Sequence, residues 1–166
     1  MSKKEMRPIE AKAREWLKER GVTIRDIAEL VHYLQSPYHD QLDIETCEHH
    51  IERVLEKREV QNAILTGIQL DILAEKELLE EPLLSTIKVD EGLYGIDEIM
   101  ALSIINVYGS IGFTNYGYID KQKPGILAKL NDKSSGKCHT FLDDLVGGIA
   151  AAASSRLAHS AQGEEW

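Results

Sequence analysis

The chain has 166 residues, 43% of them hydrophobic and 28% charged, with a formal net charge of −9. That length and balance suit one globular domain spanning residues 1–166 with a real core, while the charge argues against general binding to nucleic acid and disfavours passive electrostatic adhesion to anionic lipid. The two cysteines, Cys47 and Cys138, form no CxxC pair, so neither a zinc ribbon nor a redox dithiol is indicated; the two could bond across the sequence, but free thiols in a reducing cytoplasm are the better reading.

Aromatic residues are only 6% of the chain, and runs of Val, Ile and Thr are short, so the expected fold is all-α. The opening MSKKEMRP has no apolar stretch of the signal-peptide kind. The longest apolar runs, Ile99 to Val107 and Leu145 to Ala153, fall well short of the ~20 residues a spanning helix needs.

Ile9 to Arg20 reads as a first helix, with Pro8 suited to its first turn and Gly21 to its stop. Thr23 and Asp26 form a capping pair for a second, whose apolar face is Ile24, Ile27, Val31 and Leu34 and which Ser36-Pro37 ends. Asp43 is the N-cap of a third, with a stripe of Ile44, Cys47, Ile51, Val54 and Leu55. Val60, Ile64, Ile68 and Ile72 recur at spacing four in a fourth segment, either separate from the third or continuous with it. Pro82 starts a short helix through Lys88.

Gly95 to Val107 is apolar nearly all round after Asp97 and Glu98, the pattern of a helix central in a bundle. Tyr108 to Gln122, rich in glycine and tyrosine, reads as irregular. A short helix through Leu130 and a polar loop from Asn131 to His139 follow. Thr140 then reads as the cap of a last helix, whose Gly147, Gly148, Ala151, Ala152 and Ser155 let another helix approach closely. The expected architecture is therefore a helical bundle with a central apolar helix, Gly95–Val107, surrounded by others and packed against the small-residue face of the last helix.

Three acidic places carry chemistry: Asp90-Glu91 with Asp97-Glu98, Asp120 with Lys123, and Asp143-Asp144. Magnesium prefers carboxylate oxygens and keeps several waters. Phosphoryl transfer needs the phosphate charge neutralised and a water oriented, and a lysine holds phosphate as a compact charge. Each acid also has a plain structural reading. Asp143 stands three residues after Thr140, the capping-box position. Asp97 and Glu98 lie in a first helical turn, where the helix dipole favours acids. Asp90 and Glu91 read as loop acids, and Lys123 alone as a solvated lysine. Cys47-Glu48-His49-His50 contains ligand types, but adjacent histidines on a helix point about 100° apart, so a half-buried helix face is the better account. Neither a GxSxG elbow nor a Walker glycine loop is present.

Taken in order, Ile96-Asp97-Glu98, Asp120-Lys121-Gln122-Lys123-Pro124 and Leu142-Asp143-Asp144-Leu145-Val146-Gly147 resemble the phosphatidylglycerophosphatase A family. That family has an Asp-Glu pair before an apolar helix, then Asp-x-x-Lys-Pro, then an Asp-Asp pair opening a small-residue helix. Order and gaps agree over about residues 95–157. The resemblance implies magnesium-dependent removal of the terminal phosphate of phosphatidylglycerophosphate. It implies a Mg2+ site built from Asp97, Glu98, Asp143 and Asp144, with Asp144 also in the catalytic set. Asp120 would orient or activate water or join the metal shell, and Lys123 would bind phosphate. The chain departs from the family where Gly117 stands three residues before Asp120 in place of an arginine, where Thr66-Gly67 is a remnant of an early Gly-Thr motif, and in lacking apolar spans. It looks like a soluble branch that meets a lipid substrate by peripheral contact at the inner face of the membrane, as a homo-oligomer. The rival readings are a soluble small-molecule phosphomonoesterase and a non-catalytic, cation-binding or self-associating helical module.

Overall fold

The computed structural model describes residues 5–109 and 111–161; Met1 to Lys4, the start of the segment read for a targeting signal, lie outside the described residues. Among the described residues the fold is all-α: α1 (Pro8–Glu19), α2 (Ile24–Gln35), α3 (Ile44–Leu55), α4 (Arg58–Glu75), α5 (Leu83–Lys88), α6 (Ile96–Ile105), α7 (Ile111–Gln122), α8 (Ile126–Leu130) and α9 (Leu142–Ala161), with a 3-10 turn at Lys133–Ser135.

Local chemistry sets the early boundaries. Asp26 N–H donates to Thr23 Oγ1 at 3.0 Å and Thr23 N–H to Asp26 Oδ2 at 2.9 Å, a full capping box that starts α2. The Asp43 carboxylate accepts Thr46 N–H at 2.7 Å and starts α3. The third and fourth segments are two helices, broken at Glu56-Lys57, where the buried Gln61 amide donates to Leu55 O at 2.8 Å and satisfies one of the free carbonyls that end α3. Cys47 and Cys138 are both free and buried.

The central helix is α9, not Gly95–Val107. Every residue from Leu142 to Ser155 is buried, and α2, α3, α4, α6, α7 and α8 all pack against it. Its glycines, alanines and serines keep it thin, so that several neighbours close around it at once. The larger apolar side chains of α6 make a one-sided helix instead. Ala101, Ile104 and Ile105 face α9 and its neighbours, while Ile96 and Ile99 face outward.

Two glycines fix how closely the layers meet. A Cβ at Gly67 of α4 would lie 2.5 Å from Leu145 Cδ1 and 3.0 Å from Phe141 Cβ. A Cβ at Gly148 of α9 would lie 3.0 Å from the Ala101 carbonyl oxygen of α6. Backbone therefore meets backbone where α6 crosses α9. Tyr108 to Gln122 is mostly the helix α7 rather than an irregular stretch, held by buried Gly112, Tyr116 and Ile119 at helical spacing.

Candidate active site

The α6–α9 contact carries the acids. Asp97 precedes Ala101 by one turn, and Asp144 precedes Gly148 by one turn, so the close approach of Ala101 to Gly148 brings the two aspartates to the same level. Both are buried, 8% and 6% exposed, and Asp97 acts on Asp144 through its charge and a side-chain hydrogen bond. Two carboxyl groups come that close only by sharing a proton or a cation.

Asp143 lies next to them and is equally buried. Its Oδ1 accepts Asp144 N–H at 2.8 Å and its Oδ2 accepts from Lys123 Nζ at 3.4 Å. The same ammonium donates to Asp120 Oδ1 at 2.6 Å. Lys123 adopts the left-handed conformation, φ 49°, which costs an L-residue about 1–2 kcal/mol, and it presents its side chain to both acids. On the far side of Asp144, Tyr116 Oη donates to Oδ1 at 2.9 Å. The structure thus joins Asp97, Asp120, Lys123, Asp143 and Asp144 in one cluster drawn from α6, α7, the turn after α7, and α9. Glu98 is exposed, next to Asp97 on the solvent side of α6.

The electrostatics follow from this crowding. Burial, the Asp143 charge and the Asp97 carboxyl all push the Asp144 carboxyl well above the ordinary carboxylate range. Burial pushes Asp143 up as well, with Lys123 pulling it down and Asp90 adding to the rise. Desolvation works against the Lys123 ammonium, but the hydrogen bond to Asp120 and the charge of Asp143 outweigh it, so its pKa lies above the usual lysine value.

The expected cap of the last helix is different in the structure. The Thr140 hydroxyl donates to Ile87 O at 2.6 Å, and Asp143 engages Lys123 and its own neighbour's N–H rather than a capping box. The cap is Asp71 of α4, fully buried, whose two oxygens accept Phe141 N–H and Leu142 N–H. Burial raises its pKa to about 7, opposed by those two hydrogen bonds. Beside it, the Arg20 guanidinium pairs with Glu75 and donates to Cys138 O at 2.8 Å, and Glu75 accepts Cys138 N–H at 2.7 Å. These contacts fix the loop that leads into the Asp-Asp pair.

Sequence reasoning passed over Asp71 and Tyr116. Asp71 is an acid on the buried face of α4, three residues after Ile68 and seven after Ile64, a position where only a partnered carboxylate is tolerated. Tyr116 stands four residues before Asp120, one helical turn away. Asp90, read as a loop acid, bonds Lys133 Nζ at 2.9 Å and acts on Asp143 through its charge.

Among the described residues, no three His, Cys, Asp or Glu side chains come together in a group that could hold a metal ion. Magnesium does not require one, because it is held by one or two carboxylates and completed by water and substrate phosphate. Buried carboxylates without His or Cys in the set are the donor type of a hard cation and not of a soft metal.

The molecule is similar to known proteins along most of its length. The YutG protein of Bacillus subtilis (strain 168) is 66% identical over 157 residues, 95% of this chain and 95% of that one. The crystal structure of the low temperature requirement C protein from Listeria monocytogenes superposes with a TM-score of 0.94 at 66% identity, covering 95% of this chain and 99% of that one. A protein of unknown function from Bacillus stearothermophilus does so with a TM-score of 0.91 at 72% identity, covering 94% and 97%. Among the described residues no helix is long and apolar enough to cross a membrane. The family model described as Phosphatidylglycerophosphatase A matches residues 15–159, from α1 to the end of the buried helix and across every acid of the cluster. On that match, the chain belongs to the phosphatidylglycerophosphatase A family.

Proposed function

We propose that the chain is a magnesium-dependent phosphatase that hydrolyses the terminal phosphomonoester of phosphatidylglycerophosphate or a closely related lipid phosphate. The observation that carries this reading is the convergence of Asp97, Asp143 and Asp144 on the Lys123–Asp120 pair. Asp97 and Asp144 would hold the ion, with Asp143 beside them and exposed Glu98 available from the solvent side. When bound, magnesium supplies neutralisation of phosphate charge and acidification of water.

The other residues divide the remaining work. Lys123 is shared between Asp120 at 2.6 Å and Asp143 at 3.4 Å. The longer contact is the one a phosphate oxygen displaces, so that Lys123 binds the ester as a point charge. Asp120, about a third exposed, holds Lys123, orients the attacking water and accepts its proton, while the bond from phosphorus to the glycerol oxygen breaks and that oxygen, protonated by solvent water, leaves as the alcohol. The apolar side chains around Asp97 favour a lipid over a small ester. Leu93 is 91% exposed, Ile96 50% and Ile99 61%, and such a patch matches the apolar part of an amphiphile.

The test is phosphate release from phosphatidylglycerophosphate in neutral detergent micelles and from glycerol phosphate, with and without magnesium. Wild type is expected to act on the lipid ester in a magnesium-dependent way, with Asp97→Asn and Asp144→Asn slower by roughly 100-fold or more. Equal release by wild type and both variants removes the enzyme reading of these residues. Equal rates on both substrates would favour the small-ester reading.

A further inference from the structure

Tyr116 is 7% exposed, and its hydroxyl meets a carboxylate of the cluster. Three features of the packing hold it there. Gly147 gives the ring room, since a Cβ at that position would lie 3.3 Å from Tyr116 Cε2. Gly112, one turn earlier on α7, sits against Ile105 and Ser155, where a Cβ would lie 2.6 Å from Ile105 Cγ2. Ile119, one turn later, is fully buried. The phenol therefore has little freedom, and its hydrogen bond of 2.9 Å to Asp144 Oδ1 is made by a rigid donor.

A carboxylate on a short side chain has one torsion that decides which oxygen points where. With Oδ1 committed to Tyr116, Asp144 keeps one oxygen for another partner. We propose that Tyr116 is a positioning residue of the cation site, whose hydroxyl fixes the Asp144 carboxylate so that its second oxygen is presented to a divalent ion. The inference rests on the reading of Asp97 and Asp144 as cation ligands. Partners that orient a metal-binding side chain contribute about 10–100-fold to affinity, whereas a tyrosine present only to fill the core would leave cation affinity unchanged when its oxygen is removed.

The experiment is Mn2+ binding to the full chain, with Mn2+ as a spectroscopic stand-in for magnesium and free ion read by electron paramagnetic resonance. Four proteins are compared: wild type, Tyr116→Phe, Asp97→Asn and Tyr118→Phe. Tyr116→Phe keeps the ring against Gly147 and deletes only the oxygen. Tyr118 is on the same helix but exposed, with its hydroxyl 3.3 Å from that of Tyr33, so its variant controls for loss of a phenol elsewhere. The expected result is a Mn2+ midpoint about ten-fold or more higher in Tyr116→Phe. Tyr118→Phe should match wild type, and Asp97→Asn should lose the site. A wild-type midpoint in Tyr116→Phe, with Asp97→Asn still defective, overturns the inference and leaves the cation site standing. Absence of saturable Mn2+ binding by wild type, or binding untouched by Asp97→Asn, overturns both.

Discussion

Asp71 of α4 accepts the backbone N–H of Leu142 at 3.0 Å, and so caps the buried helix α9 from a neighbouring helix rather than from its own chain end. Its other oxygen takes Phe141 N–H at the same distance. Phe141 and Leu142 are fully buried, so their N–H groups are cut off from bulk solvent. Asp71→Ala leaves both unpaired, at about 1–3 kcal/mol each, so a loss of about 2–6 kcal/mol is expected in urea unfolding at neutral pH. Asp71→Asn, which keeps one acceptor, should fall between. A loss below about 1 kcal/mol for Asp71→Ala would mean that α9 is held by packing alone.

His50 gives a pH signature. It is 6% exposed, and its Nδ1 faces Arg156 Nη1 at 2.7 Å, so the ring accepts from the guanidinium and is neutral. Burial first, then Arg156 and His49, push its pKa down to about 4, against about 6.5 unfolded. The unfolded chain therefore binds this proton more readily. The contribution is whole above about pH 6.5 and fades as pH falls to about 4, a loss of about 3 kcal/mol. His50→Gln keeps an acceptor for Arg156 and removes the titration. Urea unfolding from pH 7.5 to 4 should show wild type falling relative to this variant by about that amount. Parallel curves would contradict a buried neutral imidazole.

What could be read from the chain alone was what is local. Thr23 with Asp26 and Asp43 with Thr46 are caps within three residues of each other, and their effect needs no tertiary contact. The acids of the cluster were legible as spaced motifs. Asp71 as the cap of α9 was not, because its partners are 70 and 71 residues away. The packing of Gly95–Val107 against the small-residue face of the last helix was legible, but that the last helix is the more deeply buried of the two was not, for a physical reason. The isoleucines of α6 look more apolar than the alanines and serines of α9, but burial follows how many neighbours can close around a helix, and thin helices admit more. Helix α7 was hidden because glycine is a poor helix former in isolation, yet Gly112 is the point where α7 meets α6 and α9.

Gly148 tests whether the α6–α9 approach sets the site. A Cβ there would meet the Ala101 carbonyl oxygen at 3.0 Å and Ala101 Cα at 3.4 Å, and a backbone cannot rotate aside. Gly148→Val adds a branched side chain at that point. It should destabilise by about 1–3 kcal/mol through overpacking. It should also separate Asp97 from Asp144 and cut magnesium-dependent activity more than the stability loss explains. Full activity in a folded variant would show that the spacing of the two acids is set elsewhere.

Magnesium should stabilise the fold, and more so as pH rises. Asp144 and Asp143 are both held above their ordinary carboxylate values, chiefly by burial. An acid raised in this way keeps its proton longer when folded, so the metal-free chain loses stability as pH climbs above about 4. A cation replaces that proton, and its affinity grows as the carboxyls ionise. At 100 times its Kd the ion adds about 2.7 kcal/mol, roughly 5–10 °C in Tm for a domain of this size. The shift measured with magnesium against EDTA should therefore be clear at pH 8 and small at pH 5. Asp144→Asn should show no shift, and without magnesium at pH 8 it should melt above wild type, because it removes one member of a repelling group. A shift that is larger at pH 5, or that survives in Asp144→Asn, would place the ion away from these acids.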